Sequence, residues 1–330
     1  MPNKDDKLLI VENVVKYYSA NQKILEKKPR DVKAVDNVSF YVKPGETFGI
    51  VGESGCGKTT LGKCIVRLHK PTSGSMWVRD EGGMKDLLAL NNKESFKFRQ
   101  KIQIVFQDPY ASLNPMHNIL ESFDEPLRLH GFGTREHRKE IVAEMLETVN
   151  LQPDYMYRFP HEFSGGQRQR ICIAKALAMK PELIVCDEPV SSLDVSIQAQ
   201  ILNLMRKLQK EYNLAYIFIA HDLSVVQYMS DRIAVMYLGR IVETADAKAL
   251  YNNCLHPYSK ALLSAVPIPV YGQKRDRIIL SGDVASPINP PTGCHFHPRC
   301  DRCMEICKSV EPQLIDSGDG HMVACHLYSK

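Results

Sequence analysis

Four short runs, Thr47–Val51, Ile102–Phe106, Leu183–Cys186 and Ala215–Ala220, constrain this chain most. Each is largely apolar and too short for a globular helix, so each reads as a strand buried on both faces. Helical patterns separate them. Lys58–Leu68 follows the first run, and Val195–Glu211 carries Ile197, Ile201, Leu204 and Leu208 on one face between the third and fourth. Strands that alternate with helices and are covered on both faces give an α/β fold with a mainly parallel sheet.

The remaining stretches add smaller parts. Leu8–Val15 and Val38–Val42 alternate as strands, with Pro44-Gly45 as the turn after the second. From Asp108 to about Phe163 the pattern is helical, as in Arg135–Val149, which predicts a helical insertion between the halves of the sheet. Ile233–Tyr237, Leu238-Gly239 and Arg240–Glu243 predict a hairpin closing the body. Beyond Val266, Pro267, Pro269, Pro287, Pro290 and Pro291 predict an extended segment of low helix content leading to a small cysteine-rich module.

Bulk properties exclude several classes. A chain of 330 residues accommodates two or three compact units. Its net charge of +4 is too small to argue for nucleic acid. No run reaches the ~18 apolar residues of a membrane span. The polar start Met1-Pro2-Asn3-Lys4-Asp5-Asp6 lacks a signal-peptide core, so a cytosolic protein is expected, with docking on a membrane component left open. Of the ten cysteines, Cys56, Cys64, Cys172, Cys186 and Cys254 are scattered, whereas Cys294, Cys300, Cys303, Cys307 and Cys325 crowd the tail. In a reducing compartment such crowding points to metal ligation before disulfides.

Gly52-Glu53-Ser54-Gly55-Cys56-Gly57-Lys58-Thr59 fits the G-x-x-x-x-G-K-[ST] spacing, after a strand and before a helix, with Thr60 next in line. The glycines let successive backbone N–H groups turn onto a β-phosphate. Lys58 reaches the β- and γ-oxygens, and the Thr59 hydroxyl is placed for Mg²⁺. The second catalytic element is the apolar strand ending in Asp187-Glu188. Asp187 at a strand's carboxyl end can bind Mg²⁺, and Glu188 can orient or deprotonate the attacking water. Taken alone, an Asp-Glu pair is more often a solvated strand end.

Ser164-Gly165-Gly166-Gln167 is a capping box before the Arg168–Ala178 helix. Capping explains Ser164 and Gln167 but does not require two glycines, which bare N–H groups at the positive end of a helix dipole. Two phosphate cradles, each present once, predict that one serves a neighbouring subunit.

On these residues the chain resembles the ATP-binding cassette (ABC) proteins of the transporter superfamily along nearly its whole length. Phe163–Gln167 resembles the family signature, with Phe where Leu is more usual. Gln107, in Phe106-Gln107-Asp108-Pro109, resembles the Q-loop glutamine that contacts Mg²⁺ and the attacking water. Ser191-Ser192-Leu193-Asp194 resembles the D-loop, with Ser192 where Ala is commoner. His221 resembles the switch histidine at the γ-phosphate, although alone it reads as a structural strand-end histidine. Tyr18 resembles the aromatic that stacks on adenine, with Tyr17 as a substitute because a long loop follows. None of these departures removes a catalytic group.

The resemblance implies a P-loop NTPase core with an antiparallel β subdomain over residues 1–107 and 164–253. It also implies a helical subdomain over 108–163 and a cysteine-rich extension over 254–330. It further implies that two cassettes meet head to tail with ATP between the phosphate loop of one and the signature of the other.

Cys300-x₂-Cys303 has structural-zinc spacing, and four thiolates also suit an iron–sulfur cluster; buried, reduced cysteines are the plainer reading. Pro290–Cys300, Val323-Ala324-Cys325-His326 and Lys33–Phe40 resemble the oligopeptide and dipeptide permease ATPases, the F-type subunit more than the D-type. That resemblance implies a structural [4Fe–4S] cluster on Cys294, Cys300, Cys307 and Cys325, with zinc as the alternative. It implies an ATPase at the cytoplasmic face of the membrane that energises peptide uptake. Its partners would be a second ABC ATPase subunit, forming a heterodimer, two transmembrane permease subunits and an extracytoplasmic substrate-binding protein. Nickel and oligosaccharide importers share this tail. A cytosolic non-transport ABC ATPase is the further alternative, but such proteins carry two cassettes, coiled coils or zinc inserts.

Overall fold

The computed structural model describes residues 6–19, 31–266, 277–283 and 285–329. Met1–Asp5, Pro267, Pro269 and most of the loop after Tyr18 lie outside the described residues. The chain divides into two compact units. One comprises Met1–Val42, Thr47–Leu88 and Ile219–Lys330, the other Lys43–Glu46 and Ala89–Phe218.

The first unit opens with β1 (Leu9–Ser19) antiparallel to β2 (Asp31–Val42). Both strands are longer than the sequence predicts. Register shifts between Val11 and Val14, and again beyond Val14, interrupt the period-two alternation that would have betrayed their full length. Next come β3 (Thr47–Val51), buried at every residue, and α1 (Lys58–Ile65). The helix stops three residues before the expected Leu68. Arg67 adopts a left-handed conformation (φ 60°), and the Leu68 and His69 amides fold back onto the Lys63 carbonyl, a helix-terminating arrangement. A hairpin of β4 (Ser73–Asp80) and β5 (Gly83–Asp86) completes a four-stranded antiparallel sheet, in the order β2-β1-β4-β5.

The second unit contains α2 (Asn92–Lys101), capped by a reciprocal Asn91–Glu94 box, followed directly by β6 (Ile102–Val105). Residues 108–163 then form α3 (Pro109–Ser112), α4 (Ile119–Leu129), α5 (Arg135–Thr148) and two 3₁₀ turns, with no strand among the described residues. After α6 (Gly165–Ala178) come β7 (Leu183–Asp187), α7 (Val195–Tyr212) and β8 (Ala215–Ile219), whose last residue begins the return to the first unit. Strands β6 and β7 are parallel, Ile102 opposite Leu183, and the order is β8-β7-β6. Every residue of β7 and β8 is buried, the mark of parallel strands covered on both faces.

The first unit resumes with α8 (Leu223–Met229) and β9 (Arg232–Tyr237), parallel to β3 with Val51 opposite Val235. The expected hairpin turns at Leu238-Gly239 into β10 (Arg240–Asp246), followed by α9 (Ala247–Asn252) and α10 (Pro257–Ser264). The tail contributes α11 (Glu305–Ser309), β11 (Ile315–Asp316) and β12 (Met322–Val323), giving the order β11-β12-β10-β9-β3. The tail therefore extends the sheet that carries the glycine loop.

Glu243 on β10 secures that attachment. It is fully buried and accepts hydrogen bonds from the Leu255 amide (2.6 Å), the His256 amide (3.0 Å) and His321 Nε2 (2.7 Å). Glu243→Ala would strand the buried His256 amide, the half-buried Leu255 amide and a half-buried imidazole. It is expected to cost about 3–5 kcal/mol of stability, read from urea unfolding of the full chain.

Candidate functional site

The glycine loop sits between β3 and α1, as its sequence requires. Gly57 precedes the helix with φ 101°, and a Cβ there would fall on the Ala34 carbonyl oxygen, so no side chain is tolerated. No side chain caps α1, and the start of a helix is where backbone N–H groups and the helix dipole favour an anion. Thr59 and Thr60 are half-buried on the first turn, and Ser54 and Gly55 are exposed at the loop tip. The Lys58 side chain is buried. Its ammonium donates to the Gly52 carbonyl (2.7 Å) and the Glu53 carbonyl (2.9 Å), and contacts Cys56 Sγ at 3.6 Å. Burial raises the Cys56 thiol pKa, so this cysteine stays protonated and fills space.

His221 belongs to the same unit and is exposed just beyond β8. The Ala220 amide donates to the Ile50 carbonyl, which sets the histidine's chain beside the end of β3. Tyr17 and Tyr18 differ in what holds them. The Tyr17 hydroxyl donates to Asp36 Oδ1 (2.5 Å), and burial together with that carboxylate pushes its pKa up to about 12. Tyr18 meets His69 edge to face at 5.8 Å and lies under the Lys16 ammonium. The hydroxyl bond ties Tyr17 to Asp36 of β2.

In the second unit, Asp187 is the buried last residue of β7, and Glu188 follows with φ 48°. A left-handed glutamate is uncommon, and such backbone strain collects at functional turns. The turn is closed by the Ser191 hydroxyl, which donates to the Glu188 carbonyl at 3.1 Å. Gln107 Nε2 donates to Glu188 Oε2 at 3.0 Å and approaches Ser191 Oγ at 3.5 Å. Two residues 81 positions apart, singled out separately in the sequence, are thus brought together. Asp194 is exposed and precedes α7 without capping it through its side chain.

The capping box at α6 is present in full. Ser164 Oγ accepts from the Gln167 amide (3.3 Å), and Gln167 Oε1 accepts from the Ser164 amide (3.0 Å). Gly166 has a packing reason that the sequence does not disclose: a Cβ there would strike the Ile197 side chain of α7. Spare anion-binding N–H groups are therefore not its only explanation. Arg168 was also missed. It is buried, its Nε donates to the Pro160 carbonyl at 2.6 Å, and its guanidinium lies 3.7 Å from the Tyr110 ring centroid. A charged residue inside a capped helix gives no periodic signal.

In the tail all five cysteines are free thiols. Cys307 and Cys325 are buried, Cys294 and Cys300 half-buried, and Cys303 exposed. The Cys294 amide donates to the Cys307 carbonyl at 2.8 Å. Burial pushes the Cys294 and Cys300 thiols up to about 11 and raises that of Cys325, with neighbouring thiols adding to each shift. Among the described residues, no group of three or more His, Cys, Asp or Glu side chains is placed to hold a metal ion. That finding lends support to neither the iron–sulfur nor the zinc expectation.

Two family models match the chain: "ABC transporter" over residues 35–191 and "Oligopeptide/dipeptide transporter, C-terminal region" over 242–307. The putative oligopeptide transport ATP-binding protein YkfD of Bacillus subtilis is 54% identical, covering 91% of each chain. The oligopeptide transport ATP-binding protein AppF of the same organism is 51% identical over 98% of each. The dipeptide transport ATP-binding protein DppF of Haemophilus influenzae is 47% identical over 96% of each. Among solved structures, the ATP-binding cassette MJ0796, a dimer in a post-hydrolysis state bound to ADP and Pi, is 30% identical with a TM-score of 0.63. That match covers 73% of this chain and 99% of MJ0796. With the glycine loop, the Asp187-Glu188 strand end and the capped signature helix in place, the chain belongs to the ABC transporter family, as an ATP-hydrolysing subunit of its oligopeptide/dipeptide branch.

Proposed function

We propose that this chain hydrolyses ATP to drive peptide uptake across the cytoplasmic membrane, bound to that membrane's inner face through partner subunits. The observation that carries the hydrolytic part is the 3.0 Å hydrogen bond from Gln107 to Glu188, one residue beyond Asp187 at the strand end. Glu188 acts as the general base toward water, Gln107 orients it, and His221 meets the γ-phosphate. Thr59, Gln107 and Asp187 are the residues to hold Mg²⁺. The loop Gly52–Thr60 cradles the phosphates of ATP, with Tyr18 at the adenine. Ser164–Gln167 and Asp194 serve the nucleotide of a facing cassette.

The cargo assignment rests on the relatives, whose names include oligopeptide and dipeptide transport. Among the described residues no helix is long and apolar enough to cross a membrane, and the pore is assigned to partner subunits. Those partners are a second, different ABC ATPase subunit, two transmembrane permease subunits and an extracytoplasmic substrate-binding protein. The helical residues 108–163 engage the permeases, and 254–330 form the family extension. Affinity purification of the tagged chain from membranes is expected to recover a second cassette protein and two multi-spanning proteins in equal amounts. Recovery of the chain alone would contradict this assembly.

The resemblance to the permease ATPases also points to a structural iron–sulfur cluster on Cys294, Cys300, Cys307 and Cys325. All four are free thiols, and the Cys294 amide donates to the Cys307 carbonyl at 2.8 Å. Four thiolates are the ligand set such a centre takes. Such a group, when bound, would supply structural cross-linking of the tail. Anaerobically purified protein is expected to contain about four iron and four acid-labile sulfide per chain. Finding neither would remove the cluster.

A further inference from the structure

Glu53 is an awkward residue for a phosphate loop, because its carboxylate sits beside the place where polyphosphate is to bind. The structure surrounds it. Arg299, from the tail, grips that carboxylate with both terminal nitrogens, Nη1 to Oε2 at 2.8 Å and Nη2 to Oε1 at 3.1 Å. The Arg299 side chain is only 9% exposed. The Glu53 amide donates to the Tyr258 hydroxyl of α10 at 2.8 Å, and its carbonyl accepts from Lys58. Every polar group of Glu53 thus has a partner, two of them supplied from beyond residue 254.

The platform behind this grip is aromatic. Tyr237, Tyr258 and Phe296 are buried with ring centroids 4.7–5.4 Å apart, and the Arg299 guanidinium lies 6.0 Å from the Tyr237 ring. A forked, charge-assisted pair held at low exposure is directional and strong, unlike a solvated surface pair.

We propose that Arg299 is a positioning residue for ATP binding. From the C-terminal segment it cancels the Glu53 charge and fixes the first turn of the phosphate loop, so that loop and tail act as one nucleotide site. This rests on the reading of Gly52–Thr59 as the ATP loop. The test is equilibrium binding of MgATP to the full-length chain, with thermal melting as a fold control. Arg299→Gln is expected to weaken binding about tenfold, because it exposes the phosphates to an uncancelled carboxylate. Adding Glu53→Gln in that background is expected to restore most of the loss, a rescue that a purely structural arginine would not show.

If Arg299→Gln does not fold, Arg299→Lys takes its place. It keeps the charge, loses the fork, and is expected to weaken binding about threefold. Unchanged binding in the folded variant, or a double variant as weak as the single, would overturn the proposal. Lys58→Ala separates the two readings. If it binds MgATP normally, the loop assignment itself fails; if it loses binding while Arg299→Gln does not, only the Arg299 inference fails.

Discussion

Glu188→Gln is expected to lower MgATP turnover by about 10²–10⁴-fold while leaving nucleotide affinity within about threefold. The change is isosteric. The Ser191 hydroxyl that closes the turn binds the Glu188 backbone carbonyl, not its side chain, so the strained φ of 48° survives. An amide at 188 can still accept from Gln107 Nε2, so the pair keeps its geometry and loses only its basicity. A general base removed without disturbing the bound state lowers kcat alone, and ATP should therefore accumulate on the variant. Phosphate release and nucleotide retention on the same sample measure both halves. Turnover at the wild-type rate would mean that Glu188 is not the base.

Lys58→Ala is expected to fail differently, with both MgATP binding and turnover falling by at least about 10²-fold. The buried ammonium donates to the Gly52 and Glu53 carbonyls of the loop. Its removal takes away a positive charge from the phosphate site and deletes one donor to each of those carbonyls. A variant that bound tightly but turned over slowly would assign Lys58 to chemistry alone. Equilibrium binding with a fluorescent ATP analogue, beside the Glu188 variant, distinguishes the two patterns.

What the sequence disclosed follows from where physics is local. β3, β7 and β8 were legible because strands buried on both faces must be apolar throughout, and the α6 cap because Ser164 and Gln167 bond within one turn. β1 and β2 were read short because bulges break their alternation. The β4–β5 hairpin went unread although Glu81-Gly82-Gly83 marks its turn, since Ser73–Asp80 mixes serine and charge with Met76, Trp77 and Val78. Tertiary partners left no local trace at all. Arg299 meets Glu53 across 246 positions, and Ile197 explains Gly166 only once α6 and α7 are packed. The tail cysteines were visible as a group, but their spacing is equally compatible with a metal ion, a cluster or buried reduced thiols.

Peptide uptake by the complete transporter in proteoliposomes, with MgATP supplied to the cassette side, tests most directly whether this chain powers transport. Uptake is expected with the wild-type chain and to be lost with Glu188→Gln in otherwise identical complexes. Accumulation of peptide at the same rate with the variant chain, or with no ATP present, would contradict it.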